Sequence, residues 1–303
     1  ALSTAQAAAL TTDQVVAITS VQVTALTTAQ VASLTTAQVG ALETDDFALL
    51  KTTQIAALKT AQVQALSTDQ VVALTTDQAQ TLSNAQVAAL TTAQTAALET
   101  ADLVVLKTAQ IAALTTAQAG ALTTEQVVAL TSAQVQTLSS NQLQALSTEQ
   151  VAAIETGDVA ALKTTQVAAL KTTQVQALTT EQVQALTSAG IAALNTNQVG
   201  ALTTDQVVAL TSAQAAAMTT AQIATLSTAQ VAAIETGDIA ALKATQLLAL
   251  KTTQGQALTT EQVQALASAG VAARTANRAA GLTTAQVVAQ TRAQDAAPPR
   301  AQG

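Results

Sequence analysis

The chain has 303 residues, of which 49% are hydrophobic and 10% charged, and its net charge at neutral pH is −7. It contains no Cys, no His and a single Phe, which excludes disulfides, thiolate chemistry and the usual imidazole base or metal ligand. The acidic balance disfavours nucleic acid and anionic membrane as partners. No apolar run approaches the roughly 18 residues of a membrane span.

From its first residues the chain is one octad said over and over, Ala-Leu-Thr-Thr-x-Gln-Val-x, stated cleanly by Ala25-Leu26-Thr27-Thr28-Ala29-Gln30-Val31-Ala32. Its places are numbered one to eight. Place two is Leu, Ile or Met at every eighth residue from Leu2 to Leu266, with Met218 the only Met. Place seven is mostly Val, as at Val15, Val23 and Val31, with Phe47, Ala79, Thr95, Ala119 and Gly255 among the exceptions. Place six is mostly Gln. Place four is nearly always Thr, replaced by Ser20, Asn84, Ser132 and Ser140. No insertion or deletion breaks this register, so each octad is expected to pack on its neighbours.

The periodicity predicts an all-α solenoid, a superhelix of very short helices with one helix per octad. In a single continuous helix eight residues overshoot two turns by about 80°, so the Leu would wander around it. Val31 and Leu34 stand three apart and share one face of a helix. The alternative is a β-solenoid, which Thr-rich ladders suit, although Leu and Val would then point to opposite faces.

Place four is the expected N-cap, because place three becomes Lys51, Lys59, Lys107 or Glu43 while place four keeps its hydroxyl. Every Lys lies at place three, and acids such as Asp13, Asp69, Glu125 and Glu181 cluster at place five. A helix ending near place three and restarting after place four would set bases at its C-terminus and acids in its first turn.

One Leu and one Val offer roughly 3–6 kcal/mol when buried, against on the order of 8–16 kcal/mol to fix eight backbone residues. No octad stands alone. Many must coil together with Leu and Val inside, Ala at close contacts, and Thr and Gln outside or bonded along the coil.

A special octad, Glu-Thr-x-Asp, recurs at Glu43, Glu99, Glu155 and Glu235, each followed one octad later by Lys51, Lys107, Lys163 or Lys243. Clustered carboxylates suit Ca²⁺. The favoured reading is a Glu–Lys pair between neighbouring octads, because Lys follows every time and no full calcium loop is present.

After Ala272 the pattern decays. Arg274 takes a Leu place and Arg278 a Gln place; Leu282-Thr283-Thr284-Ala285-Gln286-Val287 restores the motif; Gln290, Asp295 and Pro298-Pro299 end it. Residues 1–272 thus read as an octapeptide-repeat solenoid and 273–303 as degenerate capping repeats with a frayed tail. The four Arg, namely Arg274, Arg278, Arg292 and Arg300, offer a docking patch as a second reading. The absence of Met and of a signal segment at Ala1 reads as a fragment or a processed chain.

The stretch Leu10-Thr11-Thr12-Asp13-Gln14-Val15-Val16-Ala17-Ile18 resembles the opening of a TAL-effector repeat over one helix start, without that module's base-reading loop. The tract as a whole resembles octapeptide runs of large bacterial secreted or cell-surface proteins. That resemblance implies an extended extracellular stalk, fibre or adhesin segment. Its expected partners are copies of itself or neighbouring segments of a larger protein, with no nucleic acid and no membrane insertion. A regular Thr/Gln face could instead bind glycan, mineral or ice. Ser and Thr abound, but a nucleophile needs a base and an orienting group in one pocket. No catalytic, cofactor-binding or metal-ligating residue is expected, and no cofactor.

Overall fold

The computed structural model describes residues 2–268 and 283–295. These residues form 34 α-helices and no strand, which is the predicted solenoid of short helices and not the β alternative. Apart from Thr260–Ser268 and Thr284–Asp295, each helix is four to six residues long.

One octad shows the path. Helix α15 (Thr116–Ala121) starts at place four and ends at place one of the next octad. Leu122 then takes φ −56° and ψ 140°, and Thr123 takes φ −75° and ψ 163°, before α16 (Thr124–Ala129) begins. Two successive extended residues thus turn the chain, and every octad is one side and one corner of a coil.

The N-cap is place three, which corrects the expectation of place four. Thr115 Oγ1 accepts the Gln118 N–H at 3.2 Å, and Gln118 Oε1 accepts the Thr115 N–H at 2.6 Å. This is a capping box, and it needs Thr and Gln three residues apart. Where place three is Lys, the helix still starts at place four: the Lys51 N–H donates to Gln54 Oε1 at 2.6 Å, and the Gln54 N–H turns to the Lys51 carbonyl at 2.8 Å. Half of the box therefore survives without a hydroxyl. Lys consequently sits at the positive end of its helix, not at the negative one, and the dipole expectation for Lys fails. Its side chain is exposed, so water screens the repulsion. Glu at place three now has a favourable location, and acids at place five fall in the first turn as expected.

The chain divides into two compact units with the boundary after Ile154. Within the first unit helices pack on the third one along: α1 (Thr4–Ala8) on α4 (Thr28–Ser33), α10 (Thr76–Thr81) on α13 (Thr100–Val105), and α13 on α16. The second unit repeats this, with α24 (Ser188–Ala193) on α27 (Ser212–Ala217) and α27 on α30 (Thr236–Ala241). In each unit, then, three octads close one turn of the coil, and each turn stacks on the one before.

Place seven forms the innermost layer, with Val63, Ile111, Val151 and Ile223 fully buried, and place two lines the corners. Phe47 is completely enclosed at place seven. Leu and Val therefore face inward as the amphipathic spacing requires.

Candidate functional site

Each helix is so short that it is nearly all ends, and most of its backbone groups have no intrahelical partner. Place six supplies what is missing. In the first unit Gln118 caps its own helix through Oε1, while its Nε2 donates to the carbonyls of Val87 at 2.8 Å and Leu90 at 2.7 Å. Those carbonyls lie 31 and 28 residues earlier, at the corner where a helix of the previous turn ends. In the second unit Gln222 takes the Thr219 N–H at 2.6 Å and donates to Ile191 and Leu194 at 2.8 and 2.7 Å. One amide thus finishes the start of one helix and the end of another. Near the end of the array Gln286 does the same with Gly255 and Leu258.

These Gln are inside the protein: Gln118 and Gln222 are 2% exposed. From Gln30 onward the place-six Gln do not belong to the Thr/Gln face anticipated from the sequence, because an amide that satisfies both helix ends cannot also face water. The signal that could have found the bridge is the constancy of place six against the freedom of place five. A solvent-facing Gln would have been exchanged for other polar residues as place five is.

Asp replaces Gln in the four Glu-Thr-x-Asp octads. Asp46, Asp102, Asp158 and Asp238 are all buried. Asp46 Oδ1 accepts from Ser20 Oγ at 2.7 Å and Asp238 Oδ1 from Ser212 Oγ at 2.7 Å, each across one turn of the coil. Asp102 has no such bond; its Oδ2 is buried without a partner, as is the Oδ2 of Asp238. Burial raises Asp102 to about 6, and the neighbouring Glu99 adds to the shift. Burial also raises Asp238, which Ser212 opposes. At the helix starts Glu125, Glu149, Glu181 and Glu261 are held below the ordinary Glu range by their own backbone N–H and by the cap hydroxyls.

Among the described residues no ion pair joins Glu43, Glu99, Glu155 or Glu235 to the Lys one octad later, which corrects the expected Glu–Lys pairing. Consecutive octads occupy different sides of a three-sided coil, and both side chains point to water. Among the same residues no three carboxylates gather as metal ligands, and no helix is long and apolar enough to cross a membrane. The four Arg side chains and the stretch between Ala272 and Leu282 lie outside the described residues.

No curated protein and no solved structure matches the chain. The sequence profile of the ALTTAQ repeat matches residues 39–76, 95–132, 151–188, 184–212 and 231–268, together more than half of the chain. The Ala-Leu-Thr-Thr-Ala-Gln core of that repeat holds the corner Leu, the capping Thr and the buried Gln, and the chain belongs to the ALTTAQ repeat family.

Proposed function

We propose that the chain is a non-enzymatic structural scaffold, a stalk, fibre or adhesin segment of a secreted or cell-surface protein that spans distance or assembles side by side. The observation that carries this reading is the Gln bridge. Within each unit, turns are joined to the ones before by the same buried amide wherever place six is Gln. Length is then set by repeat number, which suits a spacer. The chemistry-bearing residues point the same way: Lys recurs only at place three, and the raised carboxylates sit singly inside the coil rather than paired in a cleft.

Electron microscopy of the purified chain tests the proposal. Particles much longer than they are wide support it, and compact particles overturn it. Fractionation of the source cells, with protease added to intact cells, tests the location: digestion supports a surface or secreted protein, and full protection overturns it.

A further inference from the structure

The four Asp at place six interrupt the Gln bridge, and one of them differs from the others in its surroundings. A Ser stands 26 residues before Asp46 and before Asp238, on the helix directly beneath, and donates to the carboxylate. The residue in that position before Asp102 is Thr76, on α10. Thr76 carries a hydroxyl as well, but its γ-methyl restricts χ1, and no bond to Asp102 forms. Asp102 is 2% exposed and its Oδ2 has no partner; Asp238 Oδ2 has none either, but Asp238 keeps the Ser212 bond at Oδ1 that Asp102 lacks. The carbonyls of Val71 and Leu74, 31 and 28 residues earlier, hold the places that a Gln amide would engage from position 102. An ionised carboxylate only accepts, so it cannot satisfy them; a carboxylic acid has one proton to give.

The charged groups around Asp102 push in one direction. Its own helix start contributes Glu99. The two helices packed on α13 contribute Asp77, from α10, and Glu125, from α16, both exposed. Neither of those helices carries a Lys or Arg. No Lys or Arg of this stack of three helices compensates a negative charge at Asp102.

We propose that the α10–α13 seam is a proton-operated joint: proton uptake by Asp102 from solvent holds the two turns together, and loss of that proton makes this seam open more readily than the Gln-bridged seams beside it. The direction follows from linkage. A carboxylate whose folded value is raised contributes stability that is present below its unfolded value and is lost as pH rises through the folded one. Asp102 moves from 3.8 to about 6, so the window runs between those values. This device is independent of the scaffold reading, since it concerns one seam whatever the coil carries.

Hydrogen exchange of the full chain, resolved to peptides and corrected for intrinsic rates, tests it at pH 5 and pH 7.5. The opening constant of α13 is expected to rise on the order of tenfold across that range, because at pH 5 much of the window from 3.8 to about 6 has already been crossed. The Gln-bridged α15 is expected to stay flat. Thr76→Ser supplies the missing donor and should shrink the α13 response, and Asp102→Asn should abolish it. Nuclear magnetic resonance titration of the Asp102 carboxyl should give a midpoint near 6, moved down in Thr76→Ser. An ordinary midpoint near 4, or an α13 response equal in the parent chain and Asp102→Asn, overturns the proposal. If Asp102→Asn fails to fold, the Thr76→Ser comparison and the titration of the parent chain decide it.

Discussion

A Thr hydroxyl and a Gln amide, three residues apart, carry most of the polar bonding in each octad. Replacing Gln118 by Leu leaves the Thr115 N–H and the Val87 and Leu90 carbonyls without their partner in a dry interior. Each buried group left unsatisfied costs about 1–3 kcal/mol, so Gln118→Leu should destabilise its seam by about 3 kcal/mol or more. Hydrogen exchange at α15 would register this, and an unchanged rate would remove the Gln bridge as the main polar link. Gly190 offers the reverse experiment. Its N–H is capped by Thr187 Oγ1 at 3.0 Å, but it brings no amide to the turn below. An added Cβ there comes to 3.3 Å from Thr187 Oγ1 and to ordinary contact with Val167 and Leu186. Gly190→Gln should therefore stabilise the second unit by about 1–2 kcal/mol, from the lost glycine freedom and the restored bonds. A lower denaturation midpoint would contradict that expectation.

A helix of five or six residues has no stability of its own, so its cap and its neighbours decide whether it forms. Octads with Lys at place three keep half of the capping box. Lys107→Thr supplies the absent hydroxyl and should stabilise α14 (Thr108–Ala113) by about 1 kcal/mol. Slower exchange at Gln110 and Ile111 would bear this out, and faster exchange would count against place three as the cap. Acid acts on the helices in two opposite ways. Glu125, Glu149, Glu181 and Glu261 are depressed, so their contribution holds above the ordinary Glu range and is lost as pH falls through their folded values. As pH falls, protonation of Asp102 adds stability before protonation of those Glu begins to remove it. Helicity followed by circular dichroism at a fixed, partly denaturing urea concentration should rise slightly from pH 7 to pH 5 and fall below pH 4. A steady fall from pH 7 downward would contradict the opposed signs.

At the scale of each coil, what matters is that every octad meets octads at fixed separations. Removing residues 107–114, one whole octad, lets every later Gln find equivalent carbonyls beneath it. Removing 107–110 sets Thr, Gln, Leu and Val out of phase with the turn below. The first variant should keep its helicity and a cooperative melt, and the second should lose helicity in the turns that flank the cut. Equal tolerance of both deletions, read by circular dichroism, would mean that turn-to-turn register is not what holds the coil.

Much of this was legible in the residues alone. The three-residue step from Val to Leu decided that an octad is a helix, and the absence of any self-sufficient core in eight residues decided that octads stack with those side chains inward. Both are consequences of local geometry and of energies that scale with one octad. The capping box was also written locally, in Thr-x-x-Gln, but Lys and Glu at the cap position obscured it, because a box can keep its Gln half when the hydroxyl is gone. What only the tertiary structure decided is the number of octads in a turn, and with it which distant residues meet. That number made Gln a buried link to carbonyls 28 and 31 residues away, separated Glu from the Lys one octad on, and set Ser20 against Asp46 while leaving Asp102 unpaired. The octad repeats in every direction along the chain, so its pattern is compatible with several windings; the packing of one turn on the next selects among them.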